Sequence, residues 1–198
     1  AVELLKKLIA EQIQIYRRTN VVKSEKFSEI IQGVMNRYLN GMLTNEEVIE
    51  ELLKMAQQIR EAHDAGDELG LSEDELAFYD ALTKPQAIKD FYENDELIAI
   101  TKELTEALRK NRSIDWQKRD SARAKMRMMI KRLLKKHKYP PEGMDDAVAT
   151  VMLQCELWTD NNDMEHRVVN YAEAFSKKAQ DLQMVAEEPA PYGTKKED

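Results

Sequence analysis

Apolar residues recur every three or four positions along most of the chain, as they do in helices that bury one face. The first such stripe predicts a helix from Val2 to Arg17. Ser24 is the expected N-cap of a second helix, and Gly41 is expected to end it. Thr44 and the glutamate three residues later form a capping box that opens a third helix. The stripes of these helices place three leucines toward the core: Leu8, Leu39 and Leu53.

The helical pattern continues after a polar interruption in the middle of the chain. The segment 63–70, HDAGDELG, predicts a loop. Ser72 and Glu75 form a second capping box, which opens a short helix that ends near residue 82. A longer amphipathic helix is expected around residues 97–108, and another from Trp116 to His137.

The end of the chain divides into a helix and a weaker region. Pro140 and Pro141 cannot continue the preceding helix, because proline supplies no amide and its ring clashes with the preceding turn. An apolar stripe over residues 147–155 predicts the next helix. Residues 161–185 predict an additional helix, and residues 186–198 predict a disordered or extended tail. With residues 1–160 as one helical domain, the predicted fold is all-α, an irregular bundle of about seven or eight helices.

The single cysteine, Cys155, excludes a disulfide within the chain and favours a reducing, cytoplasmic location. No run approaches the roughly 18 apolar residues that a membrane-spanning helix needs, so no membrane partner is expected. The chain is already in helical register at Ala1, which indicates a fragment of a longer protein.

Charge is distributed unevenly along the chain. The protein has 30 lysines and arginines against 37 aspartates and glutamates, a net charge of -7. Residues 109–138 nevertheless contain thirteen of the cations and only two aspartates. This basic segment predicts a solvated face beside the protein's own acidic helices, a contact with an acidic protein or domain, or a contact with nucleic-acid phosphates. The candidate contact residues are Arg119, Arg123, Arg127, Lys131 and Lys135.

Signatures of catalysis and metal binding are missing from the sequence. It contains no glycine-rich phosphate loop, HExxH, CxxC or EF-hand motif, and its three histidines lie in separate segments. Cys155 lies on an apolar stripe, which favours packing in the core. We therefore predict no catalytic, cofactor-binding or metal-binding residues here.

Two kinds of large side chain in the basic segment have alternative roles. Met126, Met128 and Met129 are typical of a helix core, or of an adaptable binding groove. Trp116 is expected to anchor the core beside Asp115, or to lie exposed at an interface.

Three blocks occur in a recognisable order: LSEDELAFYDAL at 71–82, IDWQKRDSARAKMRMMIKRLLKKHKYPP at 114–141 and VMLQCEL at 151–157. Together they resemble the C-terminal domain of the restriction subunit of type I restriction-modification enzymes, over roughly residues 4–158. The residues that carry the resemblance as structural motif positions are Phe78, Tyr79, Asp80, Asp115, Trp116, Arg132, Tyr139, Pro140 and Pro141.

The resemblance implies that the parent protein is an ATP-dependent type I site-specific deoxyribonuclease that uses ATP and Mg²⁺ in upstream nuclease and motor domains. It implies that this part is non-catalytic and binds no cofactor itself. Its expected role is to dock those motor domains onto the methyltransferase core through the modification subunit. The alternative is a helical domain that contacts the DNA backbone, without base specificity, beside the translocation path.

Overall fold

A computed structural model describes residues 1–113 and 115–161, and within these ranges every regular element is a helix. This confirms the predicted all-α fold. The predicted helix at 161–185 and the tail at 186–198 lie outside the described residues, apart from residue 161. The elements are α1 Val2–Thr19, α2 Val21–Leu39, α3 Asn45–Leu69, α4 Glu73–Leu82, α5 Gln86–Phe91, α6 Asn94–Asn111, a 3-10 turn Trp116–Lys118, α7 Asp120–Lys136, and α8 at 141–161.

The first three helices pack around their own apolar core. Tyr16 of α1 stacks on Phe27 of α2, with ring centroids 5.7 Å apart. Val48 and Leu52 of α3 complete the centre of this cluster and are fully buried. Each helix therefore buries the stripe that its sequence predicts, but the stripe is narrower than expected. Leu8, Leu39 and Leu53 are 50%, 75% and 53% exposed, so their predicted burial is wrong.

A second core joins α4 to α8 around Trp116, which is completely buried. Its indole Nε1 donates a hydrogen bond to Thr159 Oγ1 at 3.1 Å. Phe78 is also fully buried and meets the edge of the Trp158 ring at 5.6 Å between centroids. Trp116 thus anchors the core, which is the first of the two roles that the sequence predicted for it. Both cores belong to one compact unit, residues 1–159.

Local sequence signals set several helix ends. Both predicted capping boxes form: Thr44 Oγ1 accepts from the Glu47 amide at 3.2 Å, and Ser72 Oγ accepts from the Glu75 amide at 3.2 Å. The glutamate carboxylates accept in return from the amides of their capping residues. Gly41 adopts the left-handed conformation, φ +70°, directly after Asn40, the C-cap of α2, as predicted for a residue that ends a helix.

The predicted N-cap at Ser24 is wrong. The junction between α1 and α2 is the single residue Asn20, whose extended backbone separates the two helices. Its side-chain Oδ1 accepts from the Lys23 amide at 3.0 Å, so Asn20 is the cap and Ser24 lies inside the helix. Asn20 Nδ2 also donates a hydrogen bond to the Asp80 carboxylate of α4. This contact with a distant residue holds the N-cap of α2 at Asn20 and not at Ser24.

The predicted loop at 63–70 is helical, because α3 continues to Leu69 and ends at Gly70 in the left-handed conformation, φ +64°. Gly66 lies inside this last part of α3 and is buried. A Cβ there would lie 3.2 Å from the Leu71 carbonyl oxygen and 3.2 Å from the Leu76 side chain. The glycine allows the chain to turn back closely against the helix, so it serves packing and does not interrupt the helix.

The predicted helix from Trp116 to His137 is divided. A 3-10 turn carries Trp116, Arg119 is extended, and α7 begins at Asp120. Asp115 precedes the turn with φ +58° and pairs with Lys118 Nζ at 3.2 Å. This break rotates Trp116 into the core independently of α7.

Candidate functional site

The outward face of α7 is rich in lysine and arginine side chains. Helical spacing directs Met126, Ile130, Leu133 and Leu134 into the core. The cations between them must therefore point outward, and Met128 shares that face with 56% of its surface exposed. The face combines positive charge with an apolar side chain.

Two of the five candidate contact residues already have partners in the fold. The Arg123 guanidinium donates a part-buried hydrogen bond to the Glu156 carboxylate of α8. Lys131 Nζ lies 3.2 Å from Asp145 Oδ1, but the Asp145 side chain is 90% exposed. The first pair ties α7 to α8, whereas the second is a surface pair of small energetic value.

The other three candidates, Arg119, Arg127 and Lys135, are exposed. No carboxylate of residues 1–113 or 115–161 forms an ion pair with them, and the same holds for Lys125 and Arg132. The interpretation that the basic segment only balances its own acidic helices therefore accounts for part of the charge. Five cations between residues 119 and 135 remain, and we call them the open cations: Arg119, Lys125, Arg127, Arg132 and Lys135. Lys138, beyond the end of α7, is also exposed without an ion-pair partner among the described residues and is not counted with them.

A groove of about 980 Å³ runs beside α7, between that helix and the end of α6. Ala122, Met126 and Met129 contribute apolar lining, while Arg119, Lys125 and Arg132 contribute charge. Met128 and Ala124 line this groove and also a smaller one of about 490 Å³ on the α8 side. Met128 thus forms a ridge between two surface depressions.

A polar seam lies where the α1–α2 junction meets α4. Asp80 Oδ2 accepts from Asn20 Nδ2 at 2.8 Å and lies 3.6 Å from Lys23 Nζ. Lys23 Nζ donates to the Ala62 carbonyl at 2.6 Å. Burial raises the pKa of Asp80, although Lys23 opposes this rise. Burial likewise lowers the pKa of Lys23 against the attraction of Asp80.

Gln154 of α8 holds the same junction from the other side. Its Oε1 accepts from the Val21 amide at 2.9 Å, and its Nε2 donates to the Thr19 carbonyl at 2.9 Å. One side chain therefore forms hydrogen bonds with a backbone carbonyl at the end of α1 and a backbone amide at the start of α2. The seam and Gln154 together fix the first core against α4 and α8.

Most of the remaining motif residues also connect separate elements of the fold. Tyr139 OH donates to the Leu82 carbonyl at 2.7 Å, and burial raises its pKa to about 12. Tyr79 OH donates to Asn94 Oδ1 at 3.2 Å. Pro140 is half-buried between the last two helices, and Pro141 is the first residue of α8, where its missing amide costs nothing. Arg132 differs, since it is exposed at the groove.

The sequence analysis named Asp80 only as a motif position and missed its contacts with Asn20 and Lys23. Asn20 has the one local signal that could have found the seam, since asparagine is a strong N-cap residue. Lys23 and Gln154 carry no such signal, because their partners lie 39 and 133 residues away along the chain.

Two side chains of types that often serve in catalysis, Cys155 and His137, are buried or in contact with another group of the fold. Cys155 is fully buried, and burial raises the pKa of its thiol to about 12. His137 Nε2 lies 2.6 Å from Glu103 Oε2, within a contact between α6 and the end of α7. Among residues 1–113 and 115–161, no three histidine, cysteine or acidic side chains are grouped as metal ligands. None of the helices described there is long and apolar enough to cross a membrane.

Comparison with known proteins identifies the family. The family model for the C-terminal region of endonuclease subunits like that of the type I restriction enzyme HindI matches residues 1–161. The HindI endonuclease subunit of Haemophilus influenzae is 38% identical over 155 residues, covering 78% of this chain and 15% of the relative. A putative type I restriction enzyme MjaIXP endonuclease subunit of Methanocaldococcus jannaschii is 33% identical over 145 residues, covering 73% and 13%. No solved structure matches. The chain therefore belongs to the family of C-terminal regions of HindI-like type I restriction endonuclease subunits.

Proposed function

We propose that this chain is a non-catalytic assembly module, which docks an ATP-dependent DNA-translocating endonuclease subunit onto its methyltransferase core through the modification subunit. The open cations around Met128 are the observation that carries the proposal. In this role the chain would bind no cofactor, and ATP and Mg²⁺ would act in upstream motor domains that it also contacts. The complex would work in the cytoplasm.

The composition of the α7 face supports a protein partner. Arginine and methionine are enriched in protein interfaces, and arginine pairs well with carboxylates through its planar guanidinium. Complementary charge raises association rates and excludes wrong partners. Because the open cations have no carboxylate partner within the described fold, an acidic partner surface would not have to displace one.

Co-elution with the methyltransferase core of the same system tests the proposal. The 198-residue chain is mixed with the modification and specificity subunits and analysed by size-exclusion chromatography. Arg127→Glu with Lys135→Glu should weaken capture by about tenfold or more, since two attractions become repulsions. The control, Lys54→Glu with Arg60→Glu on exposed positions of α3, changes the net charge equally and should leave capture unchanged. A folded chain that fails to bind at low salt would contradict the docking role.

The alternative, contact with the DNA backbone, is favoured by one feature of α7. Arg127, Lys131 and Lys135 follow each other at intervals of four residues and so align along one face. If all three neutralise phosphates, the affinity for random duplex DNA should fall with salt at a logarithmic slope of roughly -2.7. DNA binding with that slope, together with no capture of the methyltransferase, would support this alternative.

A further inference from the structure

We infer that the groove beside α7 is a docking site for an acidic amphipathic helix of the modification subunit. The inference rests on the proposed docking function and adds the site and the chemistry of its occupant. Three properties of the groove lead to it: its dimensions, its apolar lining and the open cations around it.

The groove has the length of a short helix. It follows α7 from Ser121 to Arg132, a distance of about 17 Å at 1.5 Å per residue. This corresponds to about three turns, so a helix of some 12 residues would fill it lengthwise. The volume of about 980 Å³ is open along the protein surface beside the end of α6, where Asn111 and Ser113 border it.

The lining of the groove suits an apolar stripe on the partner. Met126 forms its buried part and Met129 is half-buried, while Met128 is more than half exposed. Methionine is flexible and polarizable, so such a surface adapts to side chains spaced at helical intervals. Ala122 and Ala124 keep the groove wide between the methionines. Phosphates would make no use of this apolar surface, which favours a protein over DNA at this position.

The charge around the groove selects the polar face of the occupant. Arg119, Lys125 and Arg132 line it, and none of them has an ion-pair partner among residues 1–113 and 115–161. Arg127 extends the positive surface on the α8 side of Met128. A helix with glutamates or aspartates on both sides of an apolar stripe would satisfy the apolar lining and the cations together.

Substitution at the ridge tests the site. Met128→Glu places a carboxylate where an acidic helix would bind, and Met42→Glu makes the same change at another exposed methionine, 70% exposed and outside the groove. We expect Met128→Glu to weaken binding of the methyltransferase core by about tenfold or more, and Met42→Glu by less than about twofold. Circular dichroism of both variants confirms that each remains folded.

Photo-crosslinking identifies the occupant. With p-benzoylphenylalanine in place of Met128, the crosslinked peptide should come from an acidic segment of the modification subunit with helical apolar spacing. A crosslink to a basic or uncharged segment, to the specificity subunit or to added DNA would overturn the inference. Full methyltransferase binding by Met128→Glu would overturn the site but leave the docking function intact. If the unmodified chain does not bind the methyltransferase core at all, both the site and the docking function are refuted.

Discussion

The buried pair of Lys23 and Asp80 gives the sharpest test of how the two cores are joined. Lys23→Met removes the ammonium and puts an apolar side chain of similar length in place of lysine. Asp80→Asn removes the negative charge but keeps an oxygen that can accept from Asn20 Nδ2, which now donates to Asp80 Oδ2 at 2.8 Å. The two single variants therefore each leave one buried charge without its partner.

The expected loss follows from the burial of both groups. The Lys23 and Asp80 side chains are only 11% and 19% exposed, so neither charge regains much hydration when its partner is removed. Removing one partner of a buried pair costs about 3–5 kcal/mol. The two groups are 3.6 Å apart and keep some exposure, so we expect a loss of about 3 kcal/mol for each single variant. The double variant leaves no unpaired charge, so its loss should fall below the sum of the single losses by about 1–3 kcal/mol.

Urea unfolding followed by circular dichroism measures the free energy of unfolding of four proteins: the unmodified chain, the two single variants and the double variant. Additivity within about 0.5 kcal/mol would show that the two charges do not interact and would refute this account of the seam. An Asp80→Asn variant as stable as the unmodified chain would refute it as well. Lys54→Met, at an exposed position of α3, controls for the loss of a lysine.

The pH dependence of Lys23→Met supplies a second readout. Burial raises the pKa of Asp80, and Lys23→Met removes the ammonium that most opposes that rise, while the hydrogen bond from Asn20 and the charge of Lys89 remain. A carboxyl whose folded pKa exceeds the unfolded value of about 3.9 stabilises the fold fully below that value and loses this stabilisation as the pH rises through the folded pKa. Lys23→Met should therefore recover stability relative to the unmodified chain as the pH falls from neutral. An unchanged difference across that range would show that Asp80 does not titrate in the folded variant.

Three further predictions concern burial and backbone conformation. Trp116→Ala should lower the free energy of unfolding by about 3–5 kcal/mol, because the indole is completely buried and bonds to Thr159; a change near zero in urea unfolding would contradict its anchoring role. Gly70→Ala should destabilise by about 1 kcal/mol because its φ is +64°. Gly33→Ala should stabilise by about 0.5–1 kcal/mol, since Gly33 lies within α2 and no atom of the described residues lies within 4 Å of an added Cβ. Equal shifts of the two glycine variants in thermal unfolding would refute this contrast.

Features whose causes are local could be predicted from the sequence. The capping boxes at Thr44 and Ser72 need only four consecutive residues, and both form with the expected hydrogen bonds. Gly41 and its neighbours likewise contain all that is needed to end α2. Helical spacing alone was sufficient for the all-α fold, because each stripe repeats over several turns.

Features that depend on packing between separate elements could not be predicted. Gly66 reads as a helix breaker, but its missing Cβ is needed only because Leu71 and Leu76 fold back onto it. Ser24 and Asn20 are both acceptable caps by type, and Asn20 is further held by Asp80, 60 residues away. Single-sequence patterns contain no record of these contacts, so a boundary error there reflects tertiary packing and not a weak local signal.

The same distinction decides which cations are available to a partner. Arg123 and Arg127 are identical in type and lie one helical turn apart on α7, so sequence treats them alike. Arg123 is bound to Glu156 because α8 packs on that side, whereas Arg127 is exposed with no ion-pair partner among the described residues. Charge reversal at Arg123 should therefore damage the α7–α8 contact and lower stability. The same reversal at Arg127 should leave stability nearly unchanged and act on binding alone. A basic segment therefore predicts candidates for an interface, and the fold then determines which of them can serve it.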